Sequence, residues 1–129
     1  MAQPTPESRL QRRCIVMTDD AALRSQLTAA LPPGWRLIAT DDLEELGGFQ
    51  DILQHRFIVL DLASGTFDPL DVIRQVRTEL MLNVPIFCCG GTPAARDAAR
   101  LARADRFFER DECVARLGGF CEQFGWGAS

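Results

Sequence analysis

Apolar residues arrive along this chain in short unbroken runs, separated by stretches in which they recur at helical spacing. Cys14-Ile15-Val16-Met17, Phe57-Ile58-Val59-Leu60 and Ile86-Phe87-Cys88-Cys89 contain no polar residue. Runs of this kind read as strands covered on both faces, as in a parallel sheet layered between helices. Strands are expected at 13–18, 35–40, 56–60, 86–89 and 106–109. Helices are expected at 21–31, 43–54, 70–80, 92–103 and 112–124, with Leu23, Leu27, Ala30 and Leu31 on one face of the first and Leu70, Ile73, Val76 and Leu80 on one side of the third. In the second, Leu46, Phe49, Ile52 and Leu53 share a face, Asp41-Asp42 can cap the start, and Gly47-Gly48 weakens the early part. Pro32-Pro33-Gly34 ends the first helix, and Thr92-Pro93 opens the fourth with threonine at N-cap and proline at the first helical position. Five strand–helix repeats in this order imply right-handed crossovers and one parallel sheet.

A chain of 129 residues fits one domain with a real core. The expected division is a flexible segment at 1–12, the domain at 13–124 and a tail at 125–129. A formal net charge of -4 gives no reason to expect nucleic acid as a partner. Neither a signal-peptide core nor a run long enough to span a membrane occurs, so a cytosolic protein without membrane contact is expected. Five cysteines are an odd number with no zinc spacing, and they read as free, buried, small hydrophobes; the neighbours Cys88 and Cys89 point to opposite faces of their strand.

Acidic residues close two of the runs. Asp19-Asp20 follow the first, with one threonine between, and Asp61 closes the second. In an open parallel sheet the carboxyl ends of the strands form the ligand crevice, so these acids can converge although distant in sequence. Like charges a few ångströms apart repel by roughly 1–4 kcal/mol, which a cation would relieve. The plain alternative for each is an Asx turn or a helix N-cap.

With Met17-Thr18-Asp19-Asp20, Phe57-Ile58-Val59-Leu60-Asp61-Leu62, Phe67-Asp68-Pro69-Leu70, Pro85-Ile86 and Ala104-Asp105-Arg106-Phe107-Phe108 in this order, the chain resembles a response-regulator receiver domain of two-component signalling from Arg13 to Phe124. The resemblance implies a flavodoxin-like, doubly wound, five-stranded (βα)5 fold. It implies that Asp61 accepts a phosphoryl group from a histidine kinase or histidine phosphotransfer protein. Mg²⁺ would be held by Asp19, Asp20, Asp61 and the backbone carbonyl of Ala63, with a downstream protein effector and a possible homodimer as further partners. No enzymatic activity is implied beyond Mg²⁺-dependent phosphorylation and dephosphorylation of the aspartate itself.

The chain departs from that family in two places. Gly90 stands where a threonine or serine usually bonds the phosphoryl oxygen, and Arg110 stands where a lysine is usual; a planar guanidinium is not equivalent to a compact ammonium. Exposed backbone N–H groups at Gly90-Gly91, with the Thr92 hydroxyl, could compensate, or the pair could be a plain turn before an N-cap. Phe107 takes the aromatic switch position, and Arg96, Arg100 and Arg103 form a basic stripe at helical spacing, read either as a solvated face or as a docking surface. His55 reads as a surface residue, and Trp126 either covers the last helix or touches a partner. The competing reading of the whole is a phosphorylation-independent pseudo-receiver acting as an interaction or dimerisation module. The two differ on whether function survives Asp61→Asn.

Overall fold

The computed structural model describes residues 12–125. Five strands, β1 (Arg12–Met17), β2 (Trp35–Ala39), β3 (Ile58–Asp61), β4 (Ile86–Cys89) and β5 (Arg106–Phe108), form one parallel sheet in the order β2-β1-β3-β4-β5. Every pairing is parallel, with Met17 opposite Leu60 and Asp61 opposite Cys89. This is the flavodoxin-like order, and its switch point falls between β1 and β3, where ligands bind in such sheets.

The helices are α1 (Ala21–Ala30), α2 (Phe49–Leu53), α3 (Pro69–Arg74), α4 (Pro93–Leu101) and α5 (Arg110–Gln123). The apolar runs are strands because alternate residues feed two cores. Ile15, Met17, Ile58, Leu60, Ile86 and Cys88 face one side, with Ile73 and Val76. Cys14, Val16, Val59, Phe87 and Cys89 face the other, with Leu23, Leu27, Leu117 and a cluster of rings in which Phe87 stacks on Phe120 at 4.3 Å. Cys88 and Cys89 therefore do point to opposite faces, and all five thiols are free and buried.

Three local expectations are corrected. The second helix is split: residues Leu43–Leu46 form a 3-10 turn capped by Asp42, and α2 restarts only at Phe49. Gly47, at φ 115°, breaks the path, and the Gly48 N–H is taken by the Asp51 carboxylate at 2.9 Å. The expected common face dissolves with it. Ile52 is buried, but Phe49 and Leu53 are 47% and 52% exposed.

Next, α3 does not run on as an α-helix. Gln75–Glu79 form a wide π turn in which the Leu80 N–H bonds the Gln75 carbonyl at 2.8 Å, and Met81 follows at φ 53°. Arg77 in this turn is buried. Its guanidinium donates to the carbonyls of Leu82 and Val84, each at 2.8 Å, and Arg103, at 3.0 Å, and pairs with Asp105 at 2.7 Å. Finally, His55 is buried rather than on the surface, with Nδ1–H donating to the Asp51 carbonyl at 2.9 Å. Trp126 and residues 1–11 lie outside the described residues.

Candidate functional site

At the carboxyl end of β3, Asp61 is 0% exposed, the only buried carboxylate among the described residues. A buried carboxylate must be satisfied on both oxygens. Oδ1 accepts the Ala63 N–H at 3.0 Å, an Asx turn as the chain leaves the strand. Oδ2 accepts the Thr18 hydroxyl at 2.6 Å and the Arg110 Nη2–H at 2.7 Å. Thr18, the last residue before the acidic pair, also accepts the Asp20 N–H at 3.0 Å. One hydroxyl thereby binds the β1 end to the β3 end.

Asp20 serves two functions at once. Its Oδ1 caps α1 through the N–H groups of Ala22 and Leu23, while its Oδ2 takes the Arg110 Nη1–H at 2.6 Å. The Leu23 N–H, followed by that of Ala22 and the Arg110 charge, holds the Asp20 carboxyl below its ordinary pKa. Asp19 turns outward along the loop, with its Oδ2 on the Gly65 N–H at 2.7 Å and its own N–H on the Ser64 hydroxyl at 3.2 Å.

Arg110 is the first residue of α5, not a free loop residue, because Glu109 and Glu112 form a capping box that starts the helix two residues ahead of the expected position. From there its planar fork spans Asp20 and Asp61 together. The chain contains no lysine, so each of its 14 strongly basic side chains has this forked shape.

Gly90 lies directly beneath that fork. It adopts φ 66°, and a Cβ there would stand 3.4 Å from Arg110 Nε and 3.5 Å from Asp61 Oδ1. The two departures from the family pattern are therefore one arrangement. The Gly90 N–H donates to the Phe108 carbonyl at 3.0 Å, extending the sheet, and the Thr92 hydroxyl caps α4 through the Ala95 N–H. Gly91, at φ 83°, sits so close to Leu62 that a Cβ would meet its Cβ at 2.7 Å. Of the two readings of Gly90-Gly91, the turn and N-cap describe these bonds.

Arg96 and Arg100 lie on α4, whereas Arg103 falls two residues past its end at φ 79°, so the expected helix through 103 stops at Leu101 and the three are engaged within the domain rather than arrayed as one helical stripe. Arg96 donates to the Gly90 carbonyl at 3.0 Å and pairs with Glu109 at 2.7 Å. Arg100 pairs with Asp97 and lies 4.8 Å over the half-buried Phe107 ring, a cation–π contact. Arg103 donates to the Arg77 carbonyl at 3.3 Å.

A divalent cation held by Asp19, Asp20 and Asp61 needs their free oxygens pointed at one position. Asp20 and Asp61 give an oxygen each to the Arg110 guanidinium, and Asp19 is drawn toward Gly65. Among the described residues, no group of three or more His, Cys, Asp or Glu side chains is placed to hold a metal. The residues as arranged do not fit the ion.

No family model and no curated protein matches the sequence. Solved structures do. The phosphorylated cyanobacterial phytochrome response regulator RcpA superposes with a TM-score of 0.70 at 12% identity, over 92% of this chain and 97% of its own. A response-regulator receiver domain from Bermanella marisrubri gives 0.65 at 24% identity, over 81% of this chain and 93% of its own. The fold is that of a response-regulator receiver domain. A third receiver, the Mn²⁺-bound form of Rcp1, gives 0.66 at 13% identity over 92% of this chain and 97% of its own.

Within the receiver fold the acids lie at the switch-point end of the sheet. Thr18 was missed as a site residue because its sequence context marks it only as a spacer. Ser64 and Gly65 carry no signal beyond loop composition. No described helix is long and apolar enough to cross a membrane.

Proposed function

We propose that the chain is a receiver module of two-component signalling that takes a phosphoryl group on Asp61 from a histidine kinase or phosphotransfer protein and reports by contact with a downstream protein. The observation that carries this reading is Asp61 itself, a fully buried carboxylate at the switch-point end of the central strand with a guanidinium on its Oδ2. Phosphoryl transfer asks the protein mainly for alignment and charge compensation. An Asp61 oxygen attacks phosphorus, the P–N bond to the donor histidine breaks, and its electron pair stays on the imidazole nitrogen. Arg110 turns from the carboxylate onto the incoming phosphoryl oxygens, which its fork suits. The chain acts on no other substrate in this reading.

Incubation with acetyl phosphate in Mg²⁺ buffer, followed by intact mass, tests it. One added phosphoryl group, absent from Asp61→Asn, is the expected result. An unchanged mass rejects it.

The second reading, a phosphorylation-independent interaction module, is favoured by one observation: Thr18, Ala63 and Arg110 already satisfy both Asp61 oxygens. A partner contact that persists unchanged in Asp61→Asn selects this reading over the first.

A further inference from the structure

The acids of this site have a counter-ion in the protein, and the residue that makes room for it is identifiable. We infer that Arg110, seated over Gly90, takes the place of a divalent cation, so that the resting module is neutralised from within and holds its shape without metal.

Both ends of the fork make short, charge-assisted bonds, at 2.6 Å to Asp20 and 2.7 Å to Asp61. A single cation facing two carboxylates, one capping the helix after β1 and one ending β3, is the arrangement a bound metal would supply. A guanidinium is weakly hydrated and accepts partial burial more readily than an ammonium, and the side chain here is 36% exposed. A lysine ammonium cannot bond both carboxylates in this planar, two-armed way.

Position 90 lies directly against the fork. The Arg110 side chain passes 3.4–3.6 Å from where a Cβ would stand, ordinary van der Waals contact for that first carbon, so a larger residue meets the left-handed φ of 66° and must place its further atoms beside Nε and Cγ. Arg96 holds this floor in place from the other side through the Gly90 carbonyl. Asp20 is further committed by its two capping bonds, which aim its remaining oxygen at Arg110. A metal would have to displace the fork from both carboxylates before entering.

This inference rests on the same site as the signalling proposal but is read by metal binding rather than by phosphorylation. The full chain, stripped with a chelator, is titrated with Mn²⁺ while free Mn²⁺ is followed by electron paramagnetic resonance and unfolding by differential scanning fluorimetry. The wild type is expected to show no saturable binding and no Mn²⁺-dependent rise in Tm. Arg110→Ala is expected to bind Mn²⁺ saturably, at least about tenfold more tightly than the upper limit the wild-type titration sets, and to gain Tm with it, since two charge-assisted bonds no longer compete. Adding Asp20→Asn to that variant should abolish the gain. Arg110→Gln keeps most of the stem over Gly90 and gives the same reading should the alanine variant not fold. Equal Mn²⁺ affinity in wild type and variants, or no saturable binding in either arginine variant, overturns the inference. A wild type that shows the expected metal pattern yet never gains a phosphoryl group removes the signalling proposal and leaves the internal cation standing.

Discussion

The Arg110 guanidinium crosses above the α-carbon of Gly90, with Nε 3.4 Å from where a side chain would begin. A residue of α5 and a residue after β4 are thus close neighbours. Gly90→Thr should cost about 1–3 kcal/mol, from the left-handed φ and from the crowded fork. In Arg110→Ala the same change should cost less, because only the backbone penalty remains. Urea unfolding of the two single variants and the double variant gives the coupling directly, and additive costs would show that the residues do not interact.

Arg110→Ala alone should destabilise the metal-free protein by about 1–3 kcal/mol, since Asp61 stays buried with only the Thr18 hydroxyl and the Ala63 N–H. Partial exposure of Arg110 keeps the figure below that of a fully buried pair. Chemical denaturation in chelator checks it.

Thr18→Val preserves shape and removes the hydroxyl that joins Asp61 to the Asp20 backbone. A loss of about 1–3 kcal/mol is expected, because a buried carboxylate loses a donor. Thr40→Val, at an exposed hydroxyl bonded to Glu45 and to the Asp42 carbonyl, should cost about 0.5 kcal/mol or less and serves as the control.

Stability should fall in two separate acid windows. Burial, aided by the Arg13 charge, holds the His55 pKa below the usual 6.5. The unfolded chain then takes up a proton that the native state resists, so stability is full above that value and declines as pH drops from it toward the native pKa. Asp20 acts at lower pH: its carboxyl is held below 3.8, so its contribution is present above that value and is lost as pH falls through the native one. His55→Gln should flatten the first decline and leave the second, as read from urea midpoints across the acid range.

The thiols should be silent until the protein unfolds. Burial pushes Cys14 and Cys88 up to about 12 and Cys121 up to about 11, and a hydrogen bond with Cys113 raises Cys89 as well. Thiolate is the reactive form. Ellman's reagent should therefore modify no more than a trace of thiol in native protein and all five in denaturant; rapid native labelling at any cysteine would contradict the packing of that residue.

Much of the architecture is legible in the sequence because the signals that carry it are local. Unbroken apolar runs locate β1, β3 and β4, since a strand buried on two faces has no polar positions to show. Thr92-Pro93 marks the start of α4 through its own capping chemistry. The sequence placed Asp20 and Asp61 at strand ends for the same reason. What it could not show is the bridge between them, because the partners are 90 and 49 residues from Arg110. Arg77 and His55 were hidden differently. Their polarity argues for the surface, and only tertiary carbonyls and Asp105 make burial acceptable to Arg77. The arginines of α4 follow a helical period that says which face they share but not that Gly90, Glu109 and Phe107 wait beside it.

The wide turn at Gln75–Glu79 gives this part of the chain a fixed count of residues. Arg77 reaches its carbonyl partners and Asp105 from within a turn that carries one residue more than an α-helix would use. Deleting that residue would restore ordinary helical bonding while swinging the guanidinium away from all of them. A homologue sharing this design would be recognised by segment length together with an acid just ahead of the last strand, features that survive when overall identity has faded.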